Sequence, residues 1–233
     1  MMRTMAFVAA MAVAMPAFGQ SVVDHYHSLV RQIRDPYAYT LTQAGAGWRA
    51  KAEERTSIVG VVVDIGNGFI QVNDEGTGGG NLVTEAALFK PNSGGPIIAL
   101  SQRFYRVTDA WGGMAQVFRS VNGRWQPLSA ADLPPLMPPL FVAARANPAV
   151  PHDGNTRPVV VYLPRVGTTL NVYLTPSAQG EDCPMQNWLG TDDPVKGCKE
   201  LATAPTHVEL AFDKQRGAFT VTSRDGKAAP KLQ

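Results

Sequence analysis

Charge is scarce in this chain of 233 residues: Asp, Glu, Lys and Arg make up 17% of it, below the ~25% usual in globular domains. The 21 basic residues nearly balance the 19 acidic ones. No field of one sign therefore draws the chain to nucleic acid or to an anionic membrane. Long apolar runs are also missing. The run from Met5 to Met15 falls short of the ~18–20 residues that cross a bilayer, and no later segment is long and uncharged enough, so no stable membrane anchor is expected. The high-specificity catalytic patterns are absent too, with no G-x-S-x-G, H-E-x-x-H, Walker loop or EF-hand loop. These absences lean the reading away from an enzyme and give no ground to expect a cofactor or a resident metal.

Histidine and cysteine are few. His25 and His27 form an H-x-H pair, but on a helix residues two apart face different sides, so a metal site is not expected there. His152, beside Pro151 and Asp153, would serve a Ser–His–Asp arrangement only if the fold brought a serine to it. His207 is expected on the solvent face of the last hairpin. The only cysteines are Cys183 and Cys198. In an exported chain an even count implies a disulfide, worth about 3 kcal/mol for a loop of this size in the chain-entropy model. The enclosed stretch shows little regular pattern. The spacing is not C-x-x-C, and no histidine nearby completes a zinc set.

What is present at the N-terminus is a leader. Arg3, the apolar run to Met15 and the small residues Ala17 and Gly19 follow the order of a signal peptide. Cleavage after Gly19 would free the chain into the periplasm or medium. Hydrophobic residues at 45% suffice for a packed core, and 22 glycines with 18 prolines point to many turns.

Tyr26, Leu29, Val30 and Ile33 recur at helical spacing, with Asp24 as N-cap and Asp35-Pro36 as the stop. The segment from Tyr37 to Ser57 gives no clear pattern. From Ile58 onward, short apolar runs alternate with turn residues. Residues 58–65 and 69–72 flank Gly66-Asn67-Gly68. Residues 83–89 and 97–100 flank Asn92-Ser93-Gly94-Gly95, although Glu85-Ala86-Ala87-Leu88 also fits a helix. Residues 115–119 and 125–128 flank Asn122-Gly123. Two more hairpins follow, across Arg165-Val166-Gly167-Thr168 and across residues 213–217. The expected fold is mainly β: an antiparallel hairpin meander, closed as a sandwich, barrel or propeller-like ring, with a short N-terminal helix. The domain reading is a leader at 1–19, a helix and hairpin region at 20–132, a Pro-rich connector at 133–149 and a hairpin region with the disulfide loop at 150–233. The two hairpin regions can equally form one domain. The polar tail from Arg224 is expected to fray.

The runs at residues 163–172 and 210–219, with Asn-Gly-Phe-Ile and Ala-Leu-Phe-Lys earlier, resemble uncharacterised exported β-rich bacterial proteins. That resemblance implies a fold and no catalytic residues. The candidate binding residues are Asp74 and Glu75, in a Gly-rich stretch able to hold a cation or an anion, and Trp111 and Trp188, since indoles supply contact area for proteins and sugars. The expected function is a non-catalytic envelope module that binds an envelope protein or a cell-wall component. The alternatives are a hydrolase of envelope glycans or peptides using Asp74, Glu75 or His152, and a structural subunit or inhibitor that pairs through a β edge.

Overall fold

The computed structural model describes residues 20–51, 58–76, 80–106, 109–142, 159–176, 189 and 192–231. Helix α1, Val22–Ile33, opens on a capping box. The Ser21 hydroxyl accepts from the Asp24 N–H, and the Asp24 carboxylate accepts from the Ser21 N–H at 2.9 Å. Ser21 is thus the N-cap and Asp24 the third residue of the helix, a correction to the expected cap. Tyr26, Leu29 and Val30 form the expected buried stripe. The helix also fastens a hairpin, β1 (Thr40–Ala44) and β2 (Gly47–Lys51), in the segment where no pattern was legible. Tyr39 N–H donates to the Tyr26 hydroxyl at 3.1 Å and Leu41 N–H to His27 Nε2 at 3.0 Å.

Strands β3 (Ile58–Asp64), β4 (Phe69–Asp74), β5 (Gly80–Phe89), β6 (Ile97–Arg106), β7 (Asp109–Val121) and β8 (Arg124–Pro127) form a six-stranded antiparallel meander in chain order. The stretch Glu85–Leu88 is strand, paired on both sides by β4 and β6. A second meander, β9 (Val159–Tyr162), β10 (Thr169–Leu174), β11 (His207–Asp213) and β12 (Ala218–Asp225), makes a four-stranded sheet.

Successive strand residues point to opposite faces, and the two faces of the larger sheet bury different neighbours. Phe69, Ala87, Ile97 and Ala99 pack with Val161, Leu170, Leu210 and Phe219 of the smaller sheet. Ile70, Ala86 and Ile98 pack instead with Tyr26, Leu29 and Leu41. The result is a sandwich with a third layer, formed by α1 and the small hairpin, on its outer side. Each fully buried Leu or Ile here contributes about 1.5–3 kcal/mol. The regions on either side of the Pro-rich connector share the first of these cores. The connector feeds it, with Leu136, Leu140 and Phe141 buried and a turn of 3-10 helix at Pro138–Phe141. Where β7 passes β9, Gly113 is required: a Cβ there would lie 2.9 Å from the Gln102 carbonyl oxygen and 3.3 Å from Val160 Cγ1.

Part of the expected disulfide loop is regular. Pro194–Thr203 forms helix α2, with the Asp193 side chain accepting from Lys196 N–H and Pro194 opening the first turn. Leu201 is its buried anchor, and Cys198 packs half-buried against the same core. Cys183 lies outside the described residues, as does the expected leader.

Candidate functional site

Alternation along the strands creates the site. The face of β4, β5 and β6 that is apolar at Phe69, Ala87 and Ala99 becomes polar further along, at Gln71, Asn73, Glu85, Ser101 and Arg103. The register sets Gln71 opposite Glu85 and Glu85 opposite Ser101, with Arg103 on the diagonal. Glu85 and Arg103 are buried to 5% and 3% side-chain exposure. They form a bidentate pair, Arg103 Nη1 donating to Glu85 Oε2 at 2.5 Å and Nη2 to Oε1 at 2.7 Å.

The pair replaces a missing strand. Among the described residues β9 is an edge strand of the smaller sheet, so one row of its backbone groups has no ladder partner there. Leu163 N–H donates to Glu85 Oε2 at 2.9 Å, and the Val161 carbonyl accepts from Arg103 Nη1 at 3.0 Å and from Ser101 Oγ at 2.6 Å. With Gln71 Nε2 donating to Glu85 Oε1 at 2.9 Å, the carboxylate accepts from Arg103 twice, from Gln71 and from Leu163. Its lone pairs are then filled. Burial alone would lower the Arg103 pKa, but the Glu85 hydrogen bonds outweigh it and hold the guanidinium charged.

Above this pair lies a tyrosine relay. Arg103 Nε donates to the Tyr105 hydroxyl at 3.1 Å, Tyr105 and Tyr162 hydroxyls meet at 3.0 Å, and Tyr162 donates to the Pro230 carbonyl at 2.8 Å. The Tyr162 ring covers the guanidinium, 3.9 Å from ring centroid to Cζ. Burial first, and the Tyr105 hydroxyl second, push the Tyr162 pKa well above the usual phenol range. Together with Asn73, Val83 and Lys231 these groups line a pocket of about 260 Å³ at one end of the sandwich. The buried Asn73 Oδ1 has no hydrogen-bond partner among the described residues. The pocket can hold a polar group, and the protein itself engages the full hydrogen-bonding capacity of the Glu85 carboxylate within it.

The sequence-predicted residues lie elsewhere. Asp74 is wholly buried on the opposite face of β4, accepting from the Tyr39 hydroxyl at 3.1 Å and from Gly76 N–H at 2.9 Å. Glu75 is exposed and outside the pocket, and Trp111 lies in β7. Trp188 and His152 fall outside the described residues. His25 packs edge-on against Trp125, and His27 is engaged by Leu41, so the two rings serve separate contacts.

His207 is the clear correction. It has no solvent exposure, with Nδ1 2.9 Å from Asp225 Oδ1, Nε2 3.0 Å from Asn171 Oδ1 and its ring stacked on Tyr173. The register pairs His207 with Tyr173 on one side and Asp225 on the other. The tail is a second correction. Beyond β12 it turns back, the Lys227 carbonyl accepting from Thr206 Oγ1 at 3.0 Å, and Ala229 packs on Val83, Tyr105, Val160 and Tyr173.

Sequence reading missed Glu85, Arg103, Tyr105 and Tyr162. The available signal was a charged residue inside each of two apolar strand runs, since a buried charge demands a partner. The chain matches no protein-family model, no curated protein and no solved structure, so the site stands on its own geometry.

Proposed function

We propose that this protein is a non-catalytic binding module of the bacterial envelope, exported by its leader, that receives part of an envelope protein or cell-wall component in the pocket beside Arg103 and Tyr162. The observation that carries the reading is a polar pocket whose one carboxylate is saturated by four hydrogen bonds. A carboxylate whose lone pairs are all engaged by the protein is poorly placed to act as a general acid or base, which favours recognition over hydrolysis. The export part of the reading rests on Arg3, the apolar run and the Ala17 and Gly19 pair. A Cys183–Cys198 bridge belongs to the same proposal, and thiol titration of the purified, denatured protein should then find no free thiol.

Crosslinking of the tagged protein in its own envelope tests the function. One dominant species should be captured, and Asn73→Ala should reduce its yield. Nothing above a tag-only control would sink the proposal.

A further inference from the structure

We infer that the pocket recognises the main chain of an extended peptide, and that the protein's own C-terminal segment, residues 226–231, occupies it as a removable stand-in. The inference deepens the binding reading above and rests on the same pocket.

The segment is held as a peptide ligand would be. Lys227 anchors its start, the ammonium pairing with Asp225 at 3.0 Å and the carbonyl accepting from Thr206, and beyond it the Pro230 carbonyl accepts from Tyr162 while the small Ala229 side chain lies against an apolar patch. The Ala229 and Pro230 contacts depend on no distinctive side chain, so another extended sequence can make them. Pro230 has no N–H to satisfy, which suits a position with a single acceptor contact. Lys231 then reaches the pocket lining. The segment has no ladder partner among the described residues and is largely exposed.

Two polar groups of the pocket lining have no partner among the described residues. Arg103 spends one N–H on Tyr105, two on Glu85 and one on Val161, leaving one Nη2 hydrogen without a partner among the described residues. Asn73 Oδ1 is the unused acceptor. One donor and one acceptor in a common pocket match the C=O and N–H of a peptide unit, and buried polar groups gain most from being paired. A sugar would present hydroxyls, which suit the site less because the nearest hydroxyls, on Tyr105 and Tyr162, already bond each other.

The test uses a fluorescent synthetic peptide with the sequence of residues 228–233 and reads binding by polarisation. A chain ending at Lys227 should bind it saturably, and the full chain about tenfold more weakly, because a tethered segment competes at roughly millimolar effective concentration. In the shortened chain Tyr162→Phe should weaken binding about fivefold, as expected for one neutral hydrogen bond. Full-length Ala229→Asp, which puts a charge into the apolar patch, should bind the peptide more tightly than wild type without any deletion. Should the shortened chain, folded by its thermal melt, and Ala229→Asp both bind no better than wild type, the inference is overturned. Peptide binding in solution without any partner captured in the envelope would support this inference while removing the envelope reading.

Discussion

Glu85→Ala leaves the Arg103 guanidinium charged at 3% exposure with no counter-ion, and the Leu163 N–H with no acceptor. Breaking a buried pair from one side costs about 3–5 kcal/mol. For a domain of this size a loss of 1 kcal/mol lowers Tm by about 2–4 °C, so the variant should melt roughly 6–20 °C below wild type. The double variant Glu85→Leu with Arg103→Met leaves no charge behind. The Leu163 N–H and the half-buried Gln71 amide lose their acceptor, while Ser101 still serves the Val161 carbonyl. It should therefore be more stable than Glu85→Ala alone, and a double-mutant cycle should return a coupling of several kcal/mol. Calorimetry of wild type, both single variants and the double variant reads this directly. A loss under about 1 kcal/mol for Glu85→Ala, or a double variant no better than the singles, would refute the reasoning that the pair closes the β9 edge.

Gly113→Val drives a side chain toward the Gln102 carbonyl and Val160, and should cost about 1–3 kcal/mol by chemical denaturation. His207→Ala empties a fully buried site between Asp225 and Asn171 and should cost about 2–4 kcal/mol in the same assay, where a surface histidine would cost under about 0.5 kcal/mol. Burial holds the His25 and His27 pKa values below the ordinary 6.5; for His27 the neighbouring Arg31 adds to this, and for His25 Asp24 opposes it. Both therefore bind protons more readily unfolded than folded, so their contribution is complete above pH 6.5 and is lost as pH falls through that value toward the folded pKa. A melt series from pH 8 to pH 5 should show Tm falling below about pH 6.5, and His27→Gln should flatten the fall.

The hairpins were legible because tight turns have their own chemistry: Gly66-Asn67-Gly68 and Asn122-Gly123 mark their reversals, and Gly68 and Asn122 do adopt positive φ. The helix was legible from its apolar spacing. Its cap was misplaced because Asp24 fits both the N-cap and the third position, and only the reciprocal bond to Ser21 distinguishes them. Hairpin β1–β2 was not legible, since its exposed and half-buried residues carry little alternation. The site escaped for a related reason. Strand periodicity tells which residues share a face, but not that Glu85 and Arg103 would serve a strand arriving from β9 some sixty to eighty positions later. His207 was misread because alternation gives a face without saying what covers it. Here Tyr173, Asn171 and Asp225 close over the ring.

The central claim is recognition at the pocket beside Arg103, and the most direct test is capture in one envelope preparation by three proteins. Wild type and Val166→Ala, a change at an exposed turn residue outside the pocket lining, should yield the same dominant adduct. Tyr162→Phe should yield markedly less while melting within a few degrees of wild type. Equal capture by all three would contradict the claim and move the binding surface elsewhere on the molecule.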